Sequence, residues 1–147
     1  MSEIGMKEHA IKQISIFLEN KPGRLARLAK AIIDSGVNIL ALNIAEAGDF
    51  GIVRMLVDKP RIAYEELQKK GFTVSSTDVL GIKIKNEPGE LYKISKALGD
   101  ANINIDYAYA YSSNSEAYLI LRVSNLNESI LNIQKIGLEL MDSSVFE

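Results

Sequence analysis

The sequence predicts an α+β fold made of two βαββαβ units side by side, each with an antiparallel sheet and both helices on one face. The first observation is an internal repeat: Asn20-Lys21-Pro22-Gly23 returns as Asn86-Glu87-Pro88-Gly89, and 88 minus 22 gives a period of 66 residues. The second is that strand-like and helix-like patterns follow in the same order in both copies. A constant period above about 50 residues indicates two small domains rather than a solenoid. We predict the first domain over residues 11–78 and the second over residues 79–147.

The first copy opens with a strand pattern, because apolar residues recur at every second position over residues 13–19. After the turn, apolar residues recur at the spacing of an amphipathic helix. These residues are Leu25, Leu28, Ala29, Ile32 and Ile33. Pro22 suits the start of this helix and Gly36 suits its end, where a left-handed residue is favoured.

Turn residues and β-branched runs define the remaining elements. Residues 37–45 and 52–57 predict a hairpin around a turn cluster, Pro60 opens a second helix that runs to Lys70, and residues 72–77 predict a fourth strand. The second copy repeats this order, with strands at 79–85, 103–111, 116–123 and 138–146, and helices near 91–98 and 127–135. The prediction is therefore one continuous sheet of eight strands, four from each copy.

Composition narrows the function classes. The net charge is -2 and the pI about 5.5, which argues against the basic surface of a nucleic-acid-binding protein. No apolar run approaches the roughly 18 residues of a membrane helix, and residues 1–13 lack the apolar core of a signal peptide. The chain has no cysteine, so thiol chemistry and thiolate metal sites are excluded. We expect a cytoplasmic protein without metal or cofactor.

The repeated turn is the element in which a binding site is expected. Gly23 would let a ligand approach the backbone, and the free N–H groups at a helix start favour a carboxylate. An Asn side chain both donates and accepts hydrogen bonds, so it can bind either end of an amino acid. The alternative for Asn20 and Asn86 is that they only cap the helices that follow.

The order strand, Asn-x-Pro-Gly-x-Leu, helix, Gly-Val-Asn-Ile and hairpin resembles the ACT domain family, and in both copies the Asn-x-Pro-Gly turn precedes an Asn-Ile pair. The resemblance covers residues 11–146 and is closest to free-standing tandem ACT proteins. It implies ferredoxin-like units that bind an amino acid without catalysis and regulate a partner enzyme or their own assembly. Some relatives carry a histidine two residues before the turn Asn; here Leu18 and Ile84 stand there.

The resemblance also implies which residues bind the ligand, namely those of the turn and those at the start of the second strand. In the first copy they are Asn20, Lys21, Pro22, Gly23, Arg24, Leu25, Asn38 and Ile39. In the second copy they are Asn86, Pro88, Gly89, Leu91, Asn104 and Ile105. For Asn38 and Asn104, the alternative is a preference for Asn at turns that precede strands.

The two turns carry opposite charges. Lys21 and Arg24 flank the first turn, whereas Glu87 and Glu90 flank the second. Cations add to the positive end of a helix dipole and favour an anion. We therefore expect the first turn to hold the ligand's carboxylate, and the second to be weak for anions or to serve the ammonium group. The alternative is that all four are solvated surface charges.

A homodimer is expected from an apolar set on the second and third strands of the first copy. By alternation, these residues oppose Ile39 and lie on the sheet face away from the helices, where a solvated sheet would carry polar residues. They are Leu40, Leu42, Ile44, Ile52 and Leu56. Alternation also places Tyr107, Tyr109 and Tyr111 with Ile105, on the helix side, which opposes a base-stacking surface for RNA.

Two further functions remain open at this stage. One is a structural dimerisation module that binds no ligand. The other is an acylphosphatase-like hydrolase, for which Arg24 and Asn38 would have to provide the catalytic groups. We expect a small-molecule amino acid as ligand and neither nucleic acid nor membrane as partner.

Overall fold

The computed structural model describes residues 8–146. These residues divide into two compact units. The N-terminal unit comprises residues 12–77 with 145 and 146, and the C-terminal unit comprises residues 8–11 with 78–144. One strand is continuous across the division at residues 77 and 78.

The N-terminal unit contains strands and helices in the predicted order. They are β1 (Ile11–Glu19), α1 (Arg24–Asp34), β2 (Ile39–Ala47), β3 (Phe50–Val57), α2 (Pro60–Lys69) and the first part of β4 (Thr73–Ile84). Strand β3 pairs antiparallel with β1 on one side and with β2 on the other. The buried side chains of α1 and α2 form one core with those of β1 and β3, so both helices cover the same face.

The C-terminal unit repeats this arrangement. Its elements are the second part of β4, α3 (Glu90–Asp100), β5 (Ile105–Ser113), β6 (Glu116–Val123) and α4 (Leu126–Lys135). A short 3₁₀ turn (Ser143–Val145) follows, and the division between the units falls within it. Strand β6 pairs antiparallel with both β4 and β5. Its core joins residues of α3 and α4 with Leu80, Ile82 and Leu121. The predicted α+β class, with antiparallel pairing and ferredoxin-like units, is confirmed.

The predicted count of eight strands is wrong because of two segments. Residues 72–77 and 79–85 are predicted as separate strands, but Thr73–Ile84 form the single strand β4, which continues through Asp78. Residues 138–146 form no full strand; Leu140 alone pairs with Ile82. The Oδ1 atom of Asp142 accepts a hydrogen bond from the Ser144 N–H at 2.8 Å, and this side-chain turn ends the extended segment.

A β-bulge overturns the expected faces of β2. Ile39 pairs with Val57 but Ala41 pairs with Leu56, so β2 holds one extra residue and its alternation reverses. Leu42 then lies opposite the core residue Met55. Partners that lie directly opposite share a face. Leu42, and with it Ile44, therefore faces the helix side, contrary to the prediction, whereas Ile52 and Leu56 do face the other side.

The same bulge occurs one period later. Ile105 pairs with Val123, but Tyr107 pairs with Arg122 and Ala108 with the core residue Leu121. The tyrosines of β5 therefore lie on the face away from the helices, and the prediction that they share the side of Ile105 is wrong. Tyr111 is buried there and its ring stacks on Tyr118, with centroids 5.8 Å apart.

Candidate functional site

The two Asn-x-Pro-Gly turns have the same backbone geometry. Each leads into a helix whose N-cap is a glycine in the left-handed region, Gly23 with φ 86° and Gly89 with φ 95°. Neither α1 nor α3 has a side-chain cap, so within the described residues Asn20 and Asn86 are not helix caps. The capping alternative is therefore wrong, and both amide side chains remain candidates for binding.

The backbone conformation of the turn requires the two glycines. A Cβ atom built on Gly23 or on Gly89 would meet nothing within 4 Å. The positive φ is what requires glycine at these positions, because other residues rarely adopt it. Space above the turn is open, which leaves the α1 and α3 N-termini accessible to a ligand.

The charge of the first turn is reduced by a carboxylate that the sequence prediction left out. Glu19, at the end of β1, pairs with Lys21 (Nζ–Oε2 3.0 Å) and lies 3.6 Å from Arg24 (Nη2–Oε1). The hydrogen bond from Lys21, followed by the charges of Lys21 and Arg24, lowers the pKa of Glu19. Lys21 and Arg24, the two cations expected to attract a ligand carboxylate, thus already lie beside the carboxylate of Glu19.

In each unit the start of the second strand lies at the opposite end of the sheet from the Asn-x-Pro-Gly turn. In the N-terminal unit Glu19 pairs with Phe50 of β3, whereas Ile39 pairs with Val57 of the same strand. These rows are seven residues apart along β3, or about 23 Å at ~3.3 Å per residue. Within one unit, therefore, the turn and Asn38 cannot touch the same amino acid.

Asn38 and Asn104 have equivalent local roles at that far end. The backbone N–H of Asn38 donates to the Asp58 carboxylate, and that of Asn104 donates to the Ser124 hydroxyl, each at 2.9 Å. The side-chain amide of Asn104 also donates to Asp106 at 2.8 Å. Participation of Asn38, Ile39, Asn104 and Ile105 in binding remains a prediction of the family resemblance.

A pocket lies beside the turn in both units and is formed by equivalent residues. The N-terminal pocket, about 220 Å³, is lined by Phe17, Leu18, Glu19, Arg24, Arg27, Phe50, Gly71, Phe72 and Thr73. The C-terminal pocket, about 520 Å³, is lined by the residues one period later and also by Asn86, Ser115 and Ala117. The recurrence shows that both copies of the fold form a cavity at this place.

Aromatic side chains line the N-terminal pocket. The rings of Phe17 and Phe50 stack with centroids 4.9 Å apart. The guanidinium of Arg27 lies 4.7 Å from the centroid of Phe72, a cation–π contact. Of the predicted site residues, Arg24 is the one that lines this pocket.

Charged side chains line the C-terminal pocket instead. An ion pair between Lys83 and Glu116, 3.0 Å apart, stands where the other unit has its phenylalanine stack, and Glu139 lies 3.7 Å from the same ammonium. The hydrogen bond to Glu116, its charge and that of Glu139 raise the pKa of Lys83. Lys85, Lys93 and Glu90 complete the charged wall.

One carboxylate oxygen in this wall has no partner. Oε2 of Glu90 is shielded from solvent and accepts no hydrogen bond from any described residue. Such an oxygen costs free energy until a donor reaches it. Among the predicted residues, Asn86 lines this pocket, whereas Leu91 is 62% exposed outside it.

The sequence prediction missed most of the C-terminal pocket. Lys83, Lys85 and Lys93 come from three different positions around the turn, and Glu116 and Glu139 come from distant segments. A comparison of equivalent positions in the two copies would have indicated Lys83 and Glu116, because they replace Phe17 and Phe50 of the first copy.

The described chain also forms pockets away from the two turns. Two further pockets of the N-terminal unit, about 300 and 580 Å³, are lined largely from α2 and contain no predicted residue. Among residues 8–146 no group of His, Cys, Asp and Glu could hold a metal ion. No helix in the same range is long and apolar enough to cross a membrane.

Comparison with known proteins decides the family. A family model described as an ACT domain pair matches residues 9–143. The chain belongs to the ACT domain family. The match includes both Asn-x-Pro-Gly turns and both pockets, and it confirms the resemblance seen in the sequence.

Solved structures give the same fold for this ACT pair. A crystal structure of a protein from Bacteroides thetaiotaomicron is 38% identical, with a TM-score of 0.88 over 94% of this chain and 96% of that one. The ligand-free regulatory subunit of aspartate kinase from Thermus thermophilus is 14% identical, with a TM-score of 0.66 over 89% and 95% of the two chains. The corresponding subunit from Thermus flavus is 15% identical, with a TM-score of 0.63 over 86% and 92%. No curated protein matches.

Proposed function

We propose that this ACT pair is a non-catalytic sensor that binds a free amino acid beside the Asn-x-Pro-Gly turn and regulates a partner enzyme or its own assembly. The observation that carries the proposal is the pocket that recurs at equivalent residues beside each turn. A turn with an open helix N-terminus, an Asn amide and charged groups of both signs suits a small zwitterion.

The Thermus proteins are regulatory subunits of aspartate kinase. The proposal extends the regulation of a partner from those proteins to this chain. At 14% and 15% identity these structures show a shared fold. Regulation of a partner by this chain is therefore proposed. A partner enzyme would be controlled through a difference in ligand affinity between two states of the sensor.

Assembly as a homodimer is the second part of the proposal. Leu42 and Ile44 are 45% and 50% exposed on the helix side of β2. Strand β2 is the outer strand of the order β2-β3-β1, and within the described chain its other edge pairs with no strand. An exposed apolar strand edge invites pairing with another chain. The same feature supports the alternative, a dimerisation module without ligand.

A thermal-shift screen against the twenty amino acids tests the sensor. A ligand at 100 times its Kd adds about 2.7 kcal/mol of stability, which raises the melting temperature of a small domain by several degrees. Absence of a shift with every amino acid would reject sensing and favour the dimerisation module. Release of phosphate from acetyl phosphate in a parallel assay would instead favour the hydrolase.

A further inference from the structure

We infer that only the C-terminal pocket binds the amino acid, with Glu90 receiving the ammonium group and Lys85 and Lys93 facing the carboxylate. The inference rests on the proposed function and deepens it, because it assigns the site to one of the two copies. It also reverses the expectation from the turn charges alone, which favoured the first copy.

The N-terminal pocket is the smaller of the two and is lined by aromatic side chains. The Phe17–Phe50 stack and the Arg27–Phe72 contact lie in its wall, and its volume is about 220 Å³. Ligand pockets usually measure about 300–1,000 Å³. The C-terminal pocket, at about 520 Å³, lies in that range.

The second copy of the repeat replaces the aromatic residues that line the N-terminal pocket. Phe17 and Phe50 become Lys83 and Glu116 one period later, and their aromatic stack becomes an ion pair at the wall. Phe72 becomes Leu138, which cannot hold a guanidinium over a ring. Within the described chain, no aromatic residue lines the C-terminal pocket.

A carboxylate of the C-terminal pocket would meet the ammonium. Glu90 is the first residue of α3, and its Oε2 is buried without a hydrogen-bond donor. Glu90 is also one of the residues that line the C-terminal pocket. An ammonium group there would supply the missing charge-assisted hydrogen bond. The equivalent residue of the first copy, Arg24, would repel an ammonium.

Lysines of the same pocket would meet the carboxylate of the ligand. Lys83 is engaged by Glu116 and Glu139. Lys85 and Lys93 also line the pocket, and within the described residues neither forms an ion pair. Both charges of a free amino acid thus find an opposite charge in the wall. A monovalent anion would leave Glu90 unsatisfied, and an amine would leave both lysines unsatisfied.

Glu90→Gln is compared with Arg24→Gln, the control at the equivalent position of the first copy, in the same thermal-shift screen with the twenty amino acids. Loss of a hydrogen bond between charged groups should weaken binding about ten- to a hundredfold, so Glu90→Gln should lose most of the shift and Arg24→Gln should keep it. Lys93→Gln and Arg27→Gln form a second matched pair with the same expected contrast. Unliganded melting curves check that each variant is folded.

The outcomes separate the inference from the proposed function. A wild-type shift that survives both Glu90→Gln and Lys93→Gln, or that is lost in Arg24→Gln, overturns the C-terminal site while amino-acid sensing stands. A wild-type chain that no amino acid stabilises overturns both.

Discussion

Glu90 occupies in the C-terminal unit the position that Arg24 occupies in the N-terminal unit, since 90 minus 24 equals the repeat period of 66. Each is the first residue of its helix and each follows a left-handed glycine. The backbone of the turn is thus kept while the charge beside it is inverted. An ACT pair that keeps its turns and changes the chemistry beside them can reserve ligand binding for one copy.

The two turn asparagines should differ in their effect on binding. Asn86 lines the C-terminal pocket, whereas Asn20 does not line the N-terminal one. Asn86→Ala should weaken amino-acid binding about two- to tenfold, as expected for one net hydrogen bond, and Asn20→Ala should leave it unchanged. Titration calorimetry of both variants decides. A larger loss from Asn20→Ala would restore the assignment of the first turn to the ligand.

The two turn glycines should be equally intolerant of alanine. Gly23 and Gly89 have φ of 86° and 95°, and a Cβ on either would meet no atom within 4 Å. The cost is therefore backbone strain alone, about 1–2 kcal/mol for Gly23→Ala and for Gly89→Ala. Urea unfolding measures it. Variants as stable as the wild type would show that the left-handed turn is not required.

The ion pairs of Glu19 should make the stability of the fold depend on pH. Lys21 and Arg24 lower the pKa of Glu19 from its ordinary value of 4.5. The ionised carboxylate therefore stabilises the fold above pH 4.5, and this stabilisation is lost as the pH falls through the lowered pKa. The wild type should therefore have a higher urea midpoint than Glu19→Gln near neutral pH, and the difference should close as the pH falls through the lowered pKa of Glu19. Glu46→Gln, at an exposed carboxylate of β2, is the control. A difference that persists at low pH would contradict the ion-pair origin.

The order of elements was predictable because each signal was local, and the faces of β2 and β5 were not. Pro60 at the start of α2, and Gly36 just after α1, mark boundaries within a few residues. A bulge leaves no such mark, since one extra residue in β2 after Ile39 changes the face of every later side chain. The sequence assigned Leu42 to the wrong face for this reason.

The pocket was only partly predictable for a related reason. The turn with Asn86 stands out as a motif, but Glu116 and Glu139 reach the same cavity through strand pairing across β4. Contacts of that kind depend on which strands pair and in which register, and the local sequence pattern does not determine the pairing. The charge of Glu19 was missed because it belongs to the strand before the motif.

Dimerisation should depend on the outer strand of the N-terminal unit. Leu42 is 45% exposed there, so Leu42→Lys should remove an apolar contact and convert a dimer to a monomer in light scattering. Ile62→Lys on α2, where the side chain is 43% exposed, is the matched control and should stay dimeric. A wild-type chain with the mass of a monomer would reject the homodimer.

The most direct test of amino-acid sensing is titration calorimetry of the wild-type chain with the amino acid that gives the largest melting shift, with its amide and with its N-acetyl derivative. The account predicts one site per chain for the amino acid, and binding about tenfold or more weaker for both derivatives, because each lacks one of the two charges. Equal affinity for the three compounds, or no binding of the amino acid, would contradict it.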